Sequence, residues 1–362
     1  MDKQTVVVLF GGRSSEHSIS SATAGGVLGA IDRDRYAVIP VGITREGAFV
    51  LEDDDPSKFP LDAAHLPEVA DNGTRVLWPE PGGDRTLRVV RPDGTSESLG
   101  HVDVVLPLLH GLHGEDGAIQ GFFEVIDMPY AGCGILDSAV SLDKHFTKLA
   151  LTSAGIAVSP GITVRRNEWQ DDPAIVRERI AALGDVVFVK PASAGSSVGV
   201  SRVDHGDGLD AAMEIAFAED GKVLVETQVV GREIEVGVLA GRPGERARAS
   251  LPGEVVLTSR SFYDFEGKYL GGDGVEIVCP ADVDESLIER LRETAVRVFE
   301  AVDGKGLARV DFFVTPSGEL VVNELNTMPG FTPISMFPKC WVASGLSYGD
   351  LISELIEAGL RH

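Results

Sequence analysis

Apolar residues fall into short β-like runs and longer helical spacings along this chain. Val6 to Phe10 is an unbroken apolar run, followed by Gly11, Gly12, a polar segment and a helical spacing over residues 18–31. That succession predicts a strand, a turn and a helix. Further strand runs at 36–43 and 102–108 make the first part a small parallel α/β domain. Residues 52–100 interrupt it with Asp-rich, Pro-Gly-rich and charged stretches, which read as a surface hairpin region without a functional role. The spacing over 138–151 predicts one helix, with Gly155 as its stop, opening a second domain. Strand runs then crowd together at 161–164, 186–190, 198–203, 223–226, 233–239, 275–278, 308–314 and 320–324. Helical spacings occur among them at 174–183, 209–217, 285–302 and 348–360. Short turns between neighbouring strands predict antiparallel sheets, so the remainder is α+β.

A chain of 362 residues is too long for one ordinary core, and two or three domains with a cleft between them are expected. Its formal net charge of −24 repels polyanions, which argues against a nucleic-acid partner; a phosphate ligand needs a local basic pocket. No apolar stretch has membrane-spanning length, and neither a signal-peptide core nor metal-type cysteine spacing is present. Cys133, Cys279 and Cys340 read as reduced thiols, in keeping with a cytoplasmic setting.

Two constellations carry chemistry. Lys190 ends a strand beside the Gly-Ser loop 192–199, so an ammonium, small hydroxyls and open backbone N–H groups are available to a polyphosphate. The loop joins two strands, which separates it from a Walker A loop and from a dinucleotide fingerprint; the competing reading is a surface hairpin with a snorkelling lysine. In the second constellation, period-two alternation puts Arg309 and Asp311 on one face of a strand and Glu324 and Asn326 on one face of the next. A hairpin about Pro316–Gly318 would gather Asp311, Glu324 and Asn326 as an all-oxygen cluster suited to Mg²⁺. The competing reading is a solvated polar face with an Arg–Asp pair.

The loop after Lys190, the Arg309–Phe312 strand and the NELNTMPG segment at 323–330 together resemble the ATP-grasp ligases, and among them the D-alanine–D-alanine ligase family. The resemblance runs from GGRSSEHSIS through HGLHGEDG, SLDKHFTK and FYDFEGKY to FTPISM, leaving out only residues 52–100. It implies an ATP-grasp fold: an N-terminal α/β domain (1–143), a central domain (144–225) and a C-terminal domain (226–362) with a lid at about 260–274. It further implies joining of two D-alanines through a D-alanyl phosphate, with ATP as substrate, Mg²⁺ or Mn²⁺, and a homodimer.

The family pattern, carried over by position, makes Lys144 and Lys190 the holders of the ATP phosphates, helped by Ser197. Glu226, Thr227 and Val229 become the adenine-reading hinge and Glu233 the ribose carboxylate, although Gln228 stands where bulky residues are common. By their sequence context alone, Glu226 and Glu233 would be ordinary exposed strand positions. Glu16, with Ser196 and Tyr269, is implied to hold the ammonium of the first D-alanine. His110 is implied at the substrate site, while His17 has no role and is expected at the surface. Lys268 would reach the γ-phosphate, and Arg309 with the Gly330 N–H would stabilise an oxyanion. Ser335 and Met336 would hold the second carboxylate, against simple helix capping by Ser335. Alternatives are a D-alanine–D-lactate ligase, which Tyr269 argues against, and a non-catalytic nucleotide-binding relative.

Overall fold

The computed structural model describes residues 3–62, 64–257 and 275–361. The opening apolar run is β1 (Gln4–Gly11), followed by α1 (His17–Ala30) and β2 (Tyr36–Ile43). After β3 (Phe49–Leu51), residues 52–100 form β4 (Arg75–Leu77), β5 (Thr86–Val90) and β6 (Ser96–His101), a small antiparallel sheet of their own. The main sheet resumes with β7 (Val104–Pro107) in the order β3-β2-β1-β7, parallel except at the β3 edge. Both faces of β1 are covered, as a continuous apolar run requires. Val6, Val8 and Phe10 enter one core, while Val7 and Leu9 enter another that includes Ile119 and Phe123 of α2 (Ala118–Val125).

Two sequence expectations fail in this first part. His17 is buried, with no exposed surface: its Nδ1 lies 2.7 Å from the Gly12 carbonyl, and its Nε2 accepts the Val69 N–H at 3.0 Å. A contact 52 positions away leaves no local signature, which is why a surface histidine was expected. The single helix over 138–151 is two, α3 (Ile135–Leu142) and α4 (Lys144–Ser153). Asp143 breaks it by adopting an extended conformation and accepting the His145 and Phe146 N–H groups, as an N-cap does.

The next segment comprises β8 (Gly161–Arg165), α5 (Arg166–Asp171), α6 (Pro173–Ala181), β9 (Val186–Pro191), β10 (Ser201–Asp204), α7 (Leu209–Glu219) and β11 (Lys222–Thr227). Its sheet is antiparallel in the order β10-β9-β11-β8. Val187, Val189, Val203, Val223 and Val225 bury one face against Met213, Ala216 and Phe217 of α7. The strand expected from 198 begins only at Ser201, because Ser196 and Ser197 take positive φ angles of 49° and 60° and turn the chain instead.

The remaining chain contains β12 (Arg232–Leu239), β13 (Arg248–Ala249), β14 (Gly253–Leu257), β15 (Val275–Val278), α8 (Glu285–Ala301), β16 (Leu307–Val314), β17 (Leu320–Asn326), α9 (Met336–Ala343) and α10 (Tyr348–Gly359). The sheet runs β15-β14-β12-β16-β17 and is antiparallel. Ile234, Val236, Val310 and Phe312 pack beneath Leu291, Ala295 and Phe299 of α8, so the alternate residues of β12 and β16 remain for the opposite face. That face receives α9 at Gly237, where a Cβ atom would come within 2.7 Å of Trp341 Nε1 and 3.1 Å of Phe337. Leu351, Ile352, Leu355 and Ile356 of α10 join the core that holds Val6, Val8 and Phe10, so the first and last segments of the chain share one interior.

Candidate active site

A cavity of 290 Å³ gathers side chains from the two antiparallel sheets that contain β9 and β12. On β9, the alternation that buries Val187 and Val189 points Phe188 and Lys190 the other way, into this space. Lys144, Ser197, Glu226, Thr227, Val229 and Glu233 line it as well, together with Phe313 and Gln228. Lys268 and Tyr269 lie outside the described residues.

Glu226 is buried, contrary to its exposed reading from sequence context. Its Oε2 lies 2.5 Å from Lys190 Nζ and its Oε1 2.6 Å from Lys148 Nζ. Burial pushes the carboxyl up, but the two ammonium groups outweigh it and hold Glu226 below its usual range. Lys148 also donates to the Ser159 carbonyl at 2.9 Å, and burial lowers its own pKa despite Glu226. Lys148 was missed from sequence, although it stands one helical turn after Lys144 on α4 and so shares its face.

The predicted hairpin is present: Asp311 pairs with Glu324 and Arg309 with Asn326 across β16 and β17, with a register slip after Asp311. Arg309 grips Asp311 through two bonds of 2.7 Å and lies 2.9 Å from Glu235 Oε2. The Asn326 amide donates to Asp311 Oδ2 at 3.0 Å, and Lys144 Nζ stands 3.6 Å from Glu324 Oε2. The Arg–Asp pair expected on a solvated face thus exists, but in a recess, with Asp311 buried. Lys144 also donates to the Ala194 carbonyl at 2.7 Å, fastening the Gly-Ser loop to α4.

Beside the hairpin is a smaller recess of 40 Å³, lined by Glu16, Glu115, Ser196, Arg309, Asn326, Gly330, Ser335 and Met336 among others. The Ser196 hydroxyl donates to Glu16 Oε1, so the strained turn after β9 meets the turn after β1. His110 stands behind this recess, with Nδ1 2.9 Å from the Met328 carbonyl and Nε2 3.3 Å from Thr23 Oγ1. Burial lowers its pKa, which favours the neutral ring. Glu115, which sequence did not single out, accepts the Gly111 N–H at 2.9 Å and the Met328 N–H at 3.0 Å. Burial and the neighbouring Glu16 push its carboxyl up to about 7. The backbone of Met328 is therefore held on both sides of its Cα, at its N–H by Glu115 and at its C=O by His110. Ser335 precedes α9, but its side chain does not cap that helix; its hydroxyl bonds to Thr332 instead.

The two recesses adjoin along one polar strip. Asp311 and Glu324 face the larger, Arg309 and Asn326 the smaller, and Glu235 borders both.

Family models described as D-ala D-ala ligase N-terminus and D-ala D-ala ligase C-terminus match residues 5–133 and 150–357. A D-alanine–D-alanine ligase of Paenarthrobacter aurescens is 52% identical over 357 residues, covering 98% of this chain and 94% of that one. One from Kocuria rhizophila is 50% identical over 363 residues, covering 99% and 95%. Among solved structures, the D-alanine-D-alanine ligase from Coxiella burnetii superposes with a TM-score of 0.83 at 33% identity, covering 100% of this chain and 95% of that one. The VanG D-Ala:D-Ser ligase from Enterococcus faecalis gives 0.84 at 33% identity, covering 99% and 100%.

Proposed function

This chain belongs to the D-alanine–D-alanine ligase family, and on that premise we propose that the polar strip joining its two recesses carries out the ATP-dependent ligation of two D-alanines. The enzyme is an ATP-grasp ligase that supplies D-alanyl-D-alanine for peptidoglycan precursors. The observation that carries the site assignment is the adjacency itself: one hairpin presents Asp311 and Glu324 to the larger recess and Arg309 and Asn326 to the smaller. Residues two apart on a strand are about 7 Å apart, a span that suits a transfer from nucleotide to substrate.

In this reading the larger recess holds ATP. Lys144, Lys190 and Ser197 meet the phosphates, Glu226, Thr227 and Val229 border the base, and Glu233 the ribose, with Lys268 completing the phosphate set. Glu16, oriented by Ser196, holds the ammonium of the first D-alanine, with Tyr269 and His110 serving the same substrate. Ser335 and Met336 hold the carboxylate of the second. The first carboxylate attacks the γ-phosphorus and ADP leaves; the amine of the second D-alanine then attacks the acyl carbon and phosphate departs. Arg309 and the Gly330 N–H stabilise the oxyanion that forms between.

The hairpin fits a divalent cation. Asp311 and Glu324 are direct cross-strand partners, an arrangement of like charges that is unfavourable without a neutralising group. Arg309, which also pairs with Glu235, lies against Asp311, and Lys144 lies against Glu324. Their oxygens and that of Asn326 would hold Mg²⁺ or Mn²⁺, which supplies neutralisation of phosphate charge when bound. The same reading places domain boundaries near 144 and 226, a homodimer and a cytoplasmic location. Among the described residues no helix is long and apolar enough to cross a membrane.

The test is an ADP-release assay with Mg-ATP and D-alanine, then with D-lactate or D-serine offered as acceptor. Dipeptide formation with D-alanine preferred is expected; preference for either other acceptor, or no ADP release, would refute the assignment.

A further inference from the structure

Glu226 has two cations where one would neutralise it. The two are not equivalent. Among the described residues Lys190 is held by Glu226 Oε2 alone, whereas Lys148 is anchored twice, to Glu226 Oε1 and to the Ser159 carbonyl. Lys148 does not line the 290 Å³ recess; Lys190 does. One lysine therefore faces the space where a polyphosphate would sit, and the other is fixed behind the carboxylate.

A phosphate chain entering that space competes with Glu226 for Lys190. Were Lys190 the sole cation, its departure would leave a buried carboxylate unpaired, a strongly unfavourable state. We propose that Lys148 is a positioning residue for the nucleotide: it keeps Glu226 neutralised in place, so that Lys190 is available to the phosphates. This rests on the nucleotide reading given above and adds a residue that touches neither substrate. It also explains why α4 carries two lysines one turn apart: Lys144 holds the Gly-Ser loop, and Lys148 holds the carboxylate beneath the lysine that follows β9.

The experiment measures binding of adenosine and of ATPγS, with Mg²⁺, to the full-length wild-type chain and to variants by calorimetry. In the wild type, ATPγS binds more tightly than adenosine, and that ratio reports the phosphate contribution. Lys148→Met is expected to weaken ATPγS about tenfold while leaving adenosine within about threefold, so the ratio collapses. Lys148→Arg, which retains the charge, is expected to restore most of it. In a Glu226→Gln background no carboxylate competes for Lys190, so Lys148→Met is expected to change ATPγS binding by less than about twofold. Should Lys148→Met alone fail to fold, the Lys148→Arg variant and the comparison within the Glu226→Gln background still decide the matter. Equal weakening of adenosine and ATPγS would show a merely structural role and overturn the proposal. So would a tenfold loss that persists in the Glu226→Gln background, or a Lys148→Arg variant as impaired as Lys148→Met. Failure of the wild type to bind either ligand would instead remove the nucleotide reading, and the proposal with it.

Discussion

Strands supply most of the wall of the larger recess, and loops most of the wall of the smaller. Phe188 and Lys190 on β9, Glu233 on β12 and Asp311 on β16 enter the larger recess by the same rule, alternate residues facing away from a buried core, and Glu324 on β17 joins them past the register slip. In the smaller recess, Glu16 follows β1, Glu115 precedes α2, Ser196 sits in a turn with positive φ, and Gly330 and Ser335 occupy the stretch between β17 and α9. Strand geometry places a side chain through local pattern. Loop geometry needs ties between distant parts of the chain, and here those ties are Ser196 to Glu16 and Glu115 to Met328.

Arg309 stands where the two kinds of wall meet, so its loss should do the most damage. Arg309→Ala is expected to reduce kcat by about 10³-fold, with ATPγS affinity changed only a few-fold, as kinetics and calorimetry would show. Parallel loss of affinity would erase the distinction between the recesses. Ser196→Ala acts on the loop side alone. Losing a hydrogen bond to a charged group costs about 1.5–3 kcal/mol, so the KM for the first D-alanine should rise roughly tenfold or more while the KM for ATP stays within twofold. A rise confined to ATP would assign Ser196 to the other recess.

The smallest expected effect is on stability, through Glu115. Its carboxyl titrates at about 7 in the fold against an ordinary value of 4.5. Between those values the folded protein retains a proton that the unfolded chain gives up, so this group's contribution to stability falls as pH rises through that window and levels off above it. Relative to Glu115→Gln, which cannot titrate, the wild type should lose no more than about 3 kcal/mol from pH 4.5 to 7, a shift of a few degrees in Tm. Thermal unfolding of both proteins across that range provides the check, and parallel curves would show that Glu115 does not titrate there.

The same contrast explains what could be read in advance. Asp311, Glu324 and Asn326 were legible because two alternating strands separated by a short turn leave little choice of register. Lys148 had a signal in its spacing from Lys144, but nothing local revealed a carboxylate on β11 as its partner. Asp143 was a readable cap that would have divided α3 from α4. Glu115 and His17 were opaque for a different reason: their partners, Met328 and Val69, are backbone groups far along the chain, and any residue type could have supplied them.

The doubly held backbone of Met328 has a consequence for descent. His110 and Glu115 lie in the segment matched by one family model, Met328 in the segment matched by the other. Chimeras that exchange these halves between relatives would have to carry over the backbone course through this one residue, and the two halves should accept change at this junction only in concert.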